Sequence, residues 1–159
     1  MDMDPKEIRN VMGHFATGVT IITTKEKNGE PSGLTANAFT SLSLNPPLVL
    51  VCIDKNSQSY SCFQEFGAFA VNVLTEEQEE LSGRFATKGA NKFEGTKWHT
   101  GDNGIPLIDG ALGYIECTVV NGYEGGDHTI YVGEILSATG GEGRPLLFFK
   151  GKYQHLPPN

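Results

Sequence analysis

The chain has 159 residues, a formal net charge of −7 and no cluster of lysines or arginines, which argues against the concentrated positive surface that nucleic acid or an anionic membrane requires. Its length suits one domain spanning 1–159, with a core that needs no staples, and the acidic start MDMDPKEIRN has no signal-peptide core. Three cysteines, Cys52, Cys62 and Cys117, have no CxxC spacing, and no stretch approaches the ~18 apolar residues of a membrane span, so a disulfide framework, a zinc knuckle and a transmembrane segment are not expected and a reduced cytoplasm fits best.

In chain order, Asp4-Pro5 predicts an N-cap with proline in the first helical position, followed by Ile8, Val11, Met12 and Phe15 at helical spacing. The β-branched run 18–24 predicts a strand, and Asn28-Gly29 a hairpin turn. Read at a two-residue period, 33–44 predicts one strand, with Thr35, Asn37, Phe39, Ser41 and Ser43 on one side. Asn45-Pro46-Pro47 turns the chain into an apolar run, 48–53, that reads as a buried strand. Tyr60, Phe63 and Phe66 predict a helix, 68–74 a strand, and Thr75 opens a glutamate-rich helix ending near Gly83 or shortly after Phe85. Residues 88–109 have no sustained period and read as an irregular excursion, either a lid or a surface loop with Trp98 tucked beneath it. Three β segments follow from Ala111 onward. Six or seven short strands without regular strand–helix alternation predict a mainly β chain, a small antiparallel barrel with two or three helices.

Several groups of residues carry candidate chemistry. Ser57, Ser59 and Ser61 stand at a helix start, where free N–H groups suit a phosphate; ordinary capping is the competing explanation, since Ser61 and Gln64 have capping-box spacing. Arg84 could add a charge-assisted bond to the same phosphate, or be a solvated arginine at a helix end. The small polar side chains of Thr35, Asn37, Ser41 and Ser43 suit the edge of a planar ring, or form a plain exposed face. Asp127 precedes His128 where a glycine turn meets a strand, so the acid either fixes the imidazole tautomer or bonds its own backbone. His14, His99, His128 and His155 lack ligand spacing, and neither GxSxG nor GxGxxG is present, so a metal site, a serine hydrolase and a Rossmann turn find no support.

Taken together, FATGVTIITT (15–24), GLTANAFTSLSLNPPLVLVCI (33–53), the serines at 57–59, GRFA (83–86), GDHTIYVGEI (126–135) and PLLFFKGKY (145–153) resemble the flavin reductase-like family, whose members resemble one another in an FMN-binding split barrel. The blocks span nearly the whole chain, and the likeness is greatest to the small reductase components of two-component flavin monooxygenases. The resemblance implies a homodimeric, six-stranded antiparallel split β-barrel of Greek-key type. It implies a flavin, FMN or FAD, against Thr35, Ala36, Asn37, Ala38 and Ser41. The ribityl chain and phosphate would pass Cys52, Asp54, Ser57 and Ser59, with Arg84 and Phe85 completing the pocket. His128 and Tyr153 would lie on the nicotinamide side, with NADH or NADPH as hydride donor and a separate monooxygenase receiving reduced flavin. A flavin-holding electron carrier is the alternative, and an oligonucleotide-binding barrel is disfavoured by the acidity.

Overall fold

The computed structural model describes residues 2–89 and 91–159. Helix α1 (Pro5–Met12) begins as the sequence predicts, with Asp4 Oδ1 accepting from Lys6 N–H at 2.9 Å. It ends short of Phe15, and none of its residues is buried. Strands β1 (Thr17–Gly18) and β2 (Thr20–Lys25) follow, and β2 is covered on both faces. Its threonines therefore have no water to bond and must find acceptors inside. Thr20, Thr23 and Thr24 donate to the carbonyls of Ala36 (2.5 Å), Pro106 (2.5 Å) and Ala68 (2.7 Å).

The expected continuous strand over 33–44 is interrupted. Strand β3 (Pro31–Ala36) stops at Asn37-Ala38, and β4 (Phe39–Leu44) restarts beyond it. β3 pairs with β2, whereas β4 pairs with β5 (Pro47–Asp54), so the two halves occupy opposite edges of one sheet. The two-residue period persists through the sequence, but a kink resets which side each residue faces. The run 48–53 is likewise not wholly buried: Val49, Val51 and Ile53 point inward, while Leu48, Leu50 and Cys52 are half-covered on the other face.

Helix α2 (Tyr60–Phe66) is closed by Gly67 in the left-handed conformation and leads to β6 (Ala68–Val73). The capping box lies not at Ser61 but at Thr75–Gln78, opening a 3₁₀ turn (Glu76–Gln78) that continues as α3 (Glu79–Phe85). The 88–109 excursion contains a small hairpin, β7 (Trp98–Thr100) with β8 (Pro106–Ile108). Trp98 is only partly covered, its ring set edge to face with Phe93 at 5.9 Å. Two 13-residue strands, β9 (Gly113–Gly125) and β10 (His128–Gly140), form the long central hairpin. β11 (Leu146–Phe149) and β12 (Lys152–His155) close the chain.

The chain is thus mainly β with three α-helices. Its large sheet has seven antiparallel strands in the order β3-β2-β6-β9-β10-β5-β4, rather than the six that the family resemblance implies. Among the described residues no ladder joins the outer strands β3 and β4, so the sheet is not closed into a barrel. The two edges are nonetheless joined by Asn37-Ala38, and the three peptide units from Ala36 to Phe39 span at most ~11 Å, so the strand ends lie close at that corner. In the main core Ile22, Val51, Phe63, Phe69, Val71 and Tyr131 pack together, with Phe63 and Tyr131 stacked at 5.4 Å. A second cluster under α3 joins Val19, Ile21, Leu74, Phe85, Ile108 and Leu146.

One buried amide ties these parts together. Asn72 has no exposed surface; its Nδ2 donates to Ile21 O (2.9 Å) and Thr23 Oγ1 (3.0 Å), and its Oδ1 accepts from Ile108 N–H (2.8 Å). It therefore bonds β6 to β2 and holds the β7–β8 excursion against the sheet.

Candidate functional site

Three neighbouring regions gather the residues singled out by the sequence. The first is a cavity of about 170 Å³ lined by Thr35, Ala36, Asn37, Ser82, Phe148 and Tyr153, among others. Thr35 Oγ1 donates to the carbonyl of Ser82 at 2.6 Å, and the Ser82 hydroxyl lies 2.7 Å from Tyr153 Oη. Thr35 and Tyr153, distant in sequence, are thereby fixed on either side of one α3 residue. Asn37 and Ala38 are exposed at the kink, and Ala38 O accepts from Cys52 N–H at 3.0 Å. Ser41 lies exposed on β4, opposite Val49.

The second region is a groove of about 320 Å³ between the β2–β3 turn and the excursion, with Ser32, Ser59 and Lys92 in its wall. Ser59 Oγ donates to Gly33 O at 3.1 Å, which leaves Ser32 as donor to Ser59 at 2.7 Å. The buried Ser59 hydroxyl is therefore committed internally, and it makes no cap to α2. Ser57 differs: its Oγ is covered and has no hydrogen-bond partner, an orphan that native structures rarely leave without use. The α2 helix has only seven residues, so the seat rests on these side chains more than on a helix dipole.

Lys92 is the residue that sequence reading missed. Its Nζ donates to the same Gly33 carbonyl (3.3 Å) that Ser59 contacts, and to Phe85 O (2.9 Å). Two carbonyls satisfy two of its three N–H groups and leave its charge without a carboxylate among the described residues. Burial pulls the Lys92 ammonium below its ordinary range, as expected for a cation short of an anion. Gly33 makes this convergence possible, since a Cβ there would come within 3.0 Å of Ile22 O and 3.3 Å of the Phe85 ring. No sequence period marks Lys92, because the loop carrying it follows the surface of other elements.

Arg84 and Phe85 take different positions from those expected. Arg84 Nη1 donates to Glu94 O and Thr96 Oγ1, both at 3.1 Å, and lines another cavity beside Gly95 and Lys97 rather than the serine groove. Phe85 is fully buried beneath Gly33 and contributes its carbonyl, not its ring.

The third region is the outer face of β5 and β10. His128 stands opposite Asp54 and Ile130 opposite Cys52, and paired residues of an antiparallel ladder share a face. Asp54 Oδ1 accepts from Asn56 N–H at 2.8 Å and shapes the turn that delivers Ser57. Burial pushes the Cys52 thiol up, so at neutral pH it is an uncharged, soft wall. Asp127 Oδ1 accepts from His128 Nδ1 at 2.7 Å, and this bond holds the Asp127 carboxyl below the usual carboxylate range. The nicotinamide pair is not brought together: Tyr153 faces the Thr35 cavity, whereas His128 lies across β5.

These features fit a flavin. A cavity walled by the small residues Thr35, Ala36, Asn37 and Ser82 and by the aromatic rings of Phe148 and Tyr153 suits a planar ring, and the orphan Ser57 hydroxyl with the unpaired Lys92 charge suits a phosphate. Comparison with known proteins agrees. A reductase subunit of a flavin-dependent monooxygenase from Mycobacterium tuberculosis is 43% identical over 159 residues, covering 98% of this chain and 84% of the relative. The reductase component of a 4-nitrophenol monooxygenase from Rhodococcus opacus is 42% identical over 156 residues, covering 98% and 83%. Among solved structures, an NADH:FAD oxidoreductase of Streptomyces globisporus, in complex with NAD and FAD fragments, superposes with a TM-score of 0.92 at 40% identity, covering 100% of this chain and 98% of that one. The profile described as "Flavin reductase like domain" matches residues 12–157, and the chain belongs to that family.

Proposed function

We propose that this chain is an NAD(P)H:flavin oxidoreductase that reduces FMN or FAD and supplies reduced flavin to a separate monooxygenase. The observation that carries the reading is the convergence of Ser59 Oγ and Lys92 Nζ on Gly33 O, with Ser59 two residues along the chain from the unpartnered Ser57 hydroxyl and Gly33 on the same strand, β3, as Thr35 and Ala36 of the cavity. Bound flavin supplies a ring that accepts hydride from the nicotinamide, and the protein's part is to hold and orient the two.

In this reading Thr35, Ala36, Asn37, Ala38 and Ser41 line the ring, with Cys52 and Asp54 beside the ribityl chain. Thr35 is oriented by its bond to Ser82, so its methyl and backbone, not its hydroxyl, face the ring. Ser57 meets the phosphate by turning about its Cα–Cβ bond, Ser59 supports it through Gly33, and Lys92 neutralises it. Phe85 supports from below, and Arg84 orders the 94–96 segment. His128 lies on the nicotinamide side of the β5–β10 face, held by Asp127 in the tautomer that leaves Nε2 as an acceptor. Tyr153, fixed by Ser82, serves the same side from a second copy of the chain.

A homodimer is part of this reading, since a second copy could bring a Tyr153 to the side of the β5–β10 face where His128 stands. Exposed apolar side chains at Phe15, Leu42, Leu136 and above all Leu44, 96% exposed, supply a surface to bury. Three free cysteines suit a reduced cytoplasm, and no helix among the described residues is long and apolar enough to cross a membrane.

Purified protein is expected to oxidise NADH steadily only when free FMN or FAD is added, and to sediment as a dimer. Tightly bound flavin without such turnover would favour the electron-carrier reading. His128→Ala should raise the NADH KM about tenfold, while the flavin Kd changes by less than about twofold, as loss of one positioning contact implies. Equal losses in flavin affinity and turnover would remove His128 from the nicotinamide side.

A further inference from the structure

The last strand lies against the body of the protein with little apolar burial to hold it. Among the described residues β12 pairs with β11 alone, over four residues at the edge of the sheet β1-β11-β12, and within 152–159 only Tyr153 is even half-buried. A ladder that short fixes a strand weakly. Tyr153 nonetheless has a placed ring: it is set edge to face with Phe148 at 5.7 Å, and the two wall the Thr35 cavity.

Side chains on one face of the 3₁₀ turn and α3 supply what the ladder lacks. Glu76, Glu79 and Ser82 recur at every third residue, a spacing that puts them on one side of a helix. The last segment runs back along that side. Ser82 Oγ meets Tyr153 Oη at 2.7 Å, Glu79 Oε2 lies 3.4 Å from His155 Nε2, and Glu76 Oε2 accepts from Arg144 Nε at 3.3 Å. Arg144 completes the clasp, because its Nη2 donates to the carbonyls of Leu156 at 2.5 Å and Pro157 at 2.7 Å. Its own backbone is pinned: Arg144 O accepts from Glu76 N–H at 2.9 Å, and the next residue, Pro145, bridges to Thr75.

These contacts are unequal. His155 and Glu79 are each about half exposed, and an ion pair so open to water holds little. Arg144 and Glu76 are better covered, and a planar guanidinium engages a carboxylate and two carbonyls together, which a single ammonium does not. Arg144 itself lies outside the lining of the Thr35 cavity.

We infer that Arg144 is a positioning residue for this cavity: it fixes residues 152–157 along α3 and so sets where the Tyr153 ring stands. The inference rests on the reading of the Thr35 cavity as the seat of the flavin ring. A residue that acts through the wall of the ring must affect FMN and riboflavin alike, whereas one that acts on the phosphate separates them.

The test measures FMN and riboflavin Kd values, with melting temperatures, for the wild type, Arg144→Ala, Arg144→Lys, Tyr153→Phe and the double variant Arg144→Ala/Tyr153→Phe. Arg144→Ala is expected to raise both Kd values by the same factor, about three- to fivefold, as loss of partly exposed charge-assisted bonds implies. Arg144→Lys keeps the charge without the fork and recovers part of that factor. Tyr153→Phe already frees the ring from Ser82, so removing Arg144 in that background adds a factor below about 1.5. Should Arg144→Ala not fold, Arg144→Lys carries the test with the same signs at smaller size. A lower melting temperature with both Kd values unmoved makes Arg144 a structural clamp only and overturns the inference, while the flavin reading stands. A change confined to FMN, or the full factor persisting beside Tyr153→Phe, overturns it as well. Wild-type protein that binds neither flavin overturns the ring seat itself, and the inference with it.

Discussion

Replacing Asn72 with alanine is expected to lower stability by about 3 kcal/mol, the largest single-residue effect away from the aromatic core. The change removes one acceptor and two donated bonds at a site with no solvent, leaving Ile108 N–H unpaired at about 1–3 kcal/mol and depriving Thr23 Oγ1 and Ile21 O of one donor each, partly offset by relaxation. For a chain of this size each kcal/mol moves the melting temperature by about 2–4 °C, so calorimetry should register a fall of roughly 6–12 °C. A loss under about 1 kcal/mol would mean that the excursion is held by its apolar contacts alone. Asn72→Asp separates bonding from charge. It keeps the acceptor for Ile108 but buries a carboxyl whose folded pKa must rise above its unfolded value of about 3.9. Its penalty is then smallest below that value and grows as pH rises, the reverse of a salt-bridged aspartate. A flat difference from wild type between acid and neutral pH would contradict this sign.

The second large effect is on binding. Lys92→Met should weaken FMN roughly 10- to 100-fold, the loss of a charge-assisted contact of about 1.5–3 kcal/mol, while riboflavin, which has no phosphate, is held about as before. Riboflavin also reports whether the pocket survives the loss of the two carbonyl bonds, and Lys92→Arg should recover part of the difference. The lowered pKa of Lys92 adds a pH signature. An anion binds the protonated ammonium, so FMN affinity is full below the depressed pKa and declines as pH rises through it, in a window beginning below 10.5. Ionisation of the ring itself is common to FMN and riboflavin and cancels in their ratio. Equal weakening of FMN and riboflavin in Lys92→Met would remove the lysine from the phosphate.

How much of this was legible beforehand differs by element, for physical reasons. Local signals were sufficient where local forces decide: the Asp4 cap, the Asn28-Gly29 turn and the β-branched strand β2 all formed where residue type favours them. The family likeness, carried by blocks spread over the chain, gave the flavin chemistry and a mainly β architecture. The strand count and the break at Asn37-Ala38 were not legible, because both halves of 33–44 alternate correctly and only pairing with β2 or β5 decides which edge each joins. The β7–β8 hairpin is specified from outside itself, by Asn72 and the Thr23–Pro106 bond, so its own residues carry little pattern. Arg84 and Lys92 show the same limit. Both are cations near one helix end, and only the folded loop reveals that Arg84 turns to Glu94 and Thr96 while Lys92 reaches Gly33.

The corner at Asn37-Ala38 bears on how such a protein would let go of what it binds. Because β3 and β4 are joined there through the chain and not by a ladder, a molecule lying along the seam displaces no inter-strand hydrogen bond on arrival and breaks none on departure. A carrier meant to retain its flavin would gain from stitching that seam shut. A donor that must hand its reduced flavin to another protein after every cycle gains from leaving it open, and its release step is then limited by side-chain contacts rather than by unzipping of the sheet.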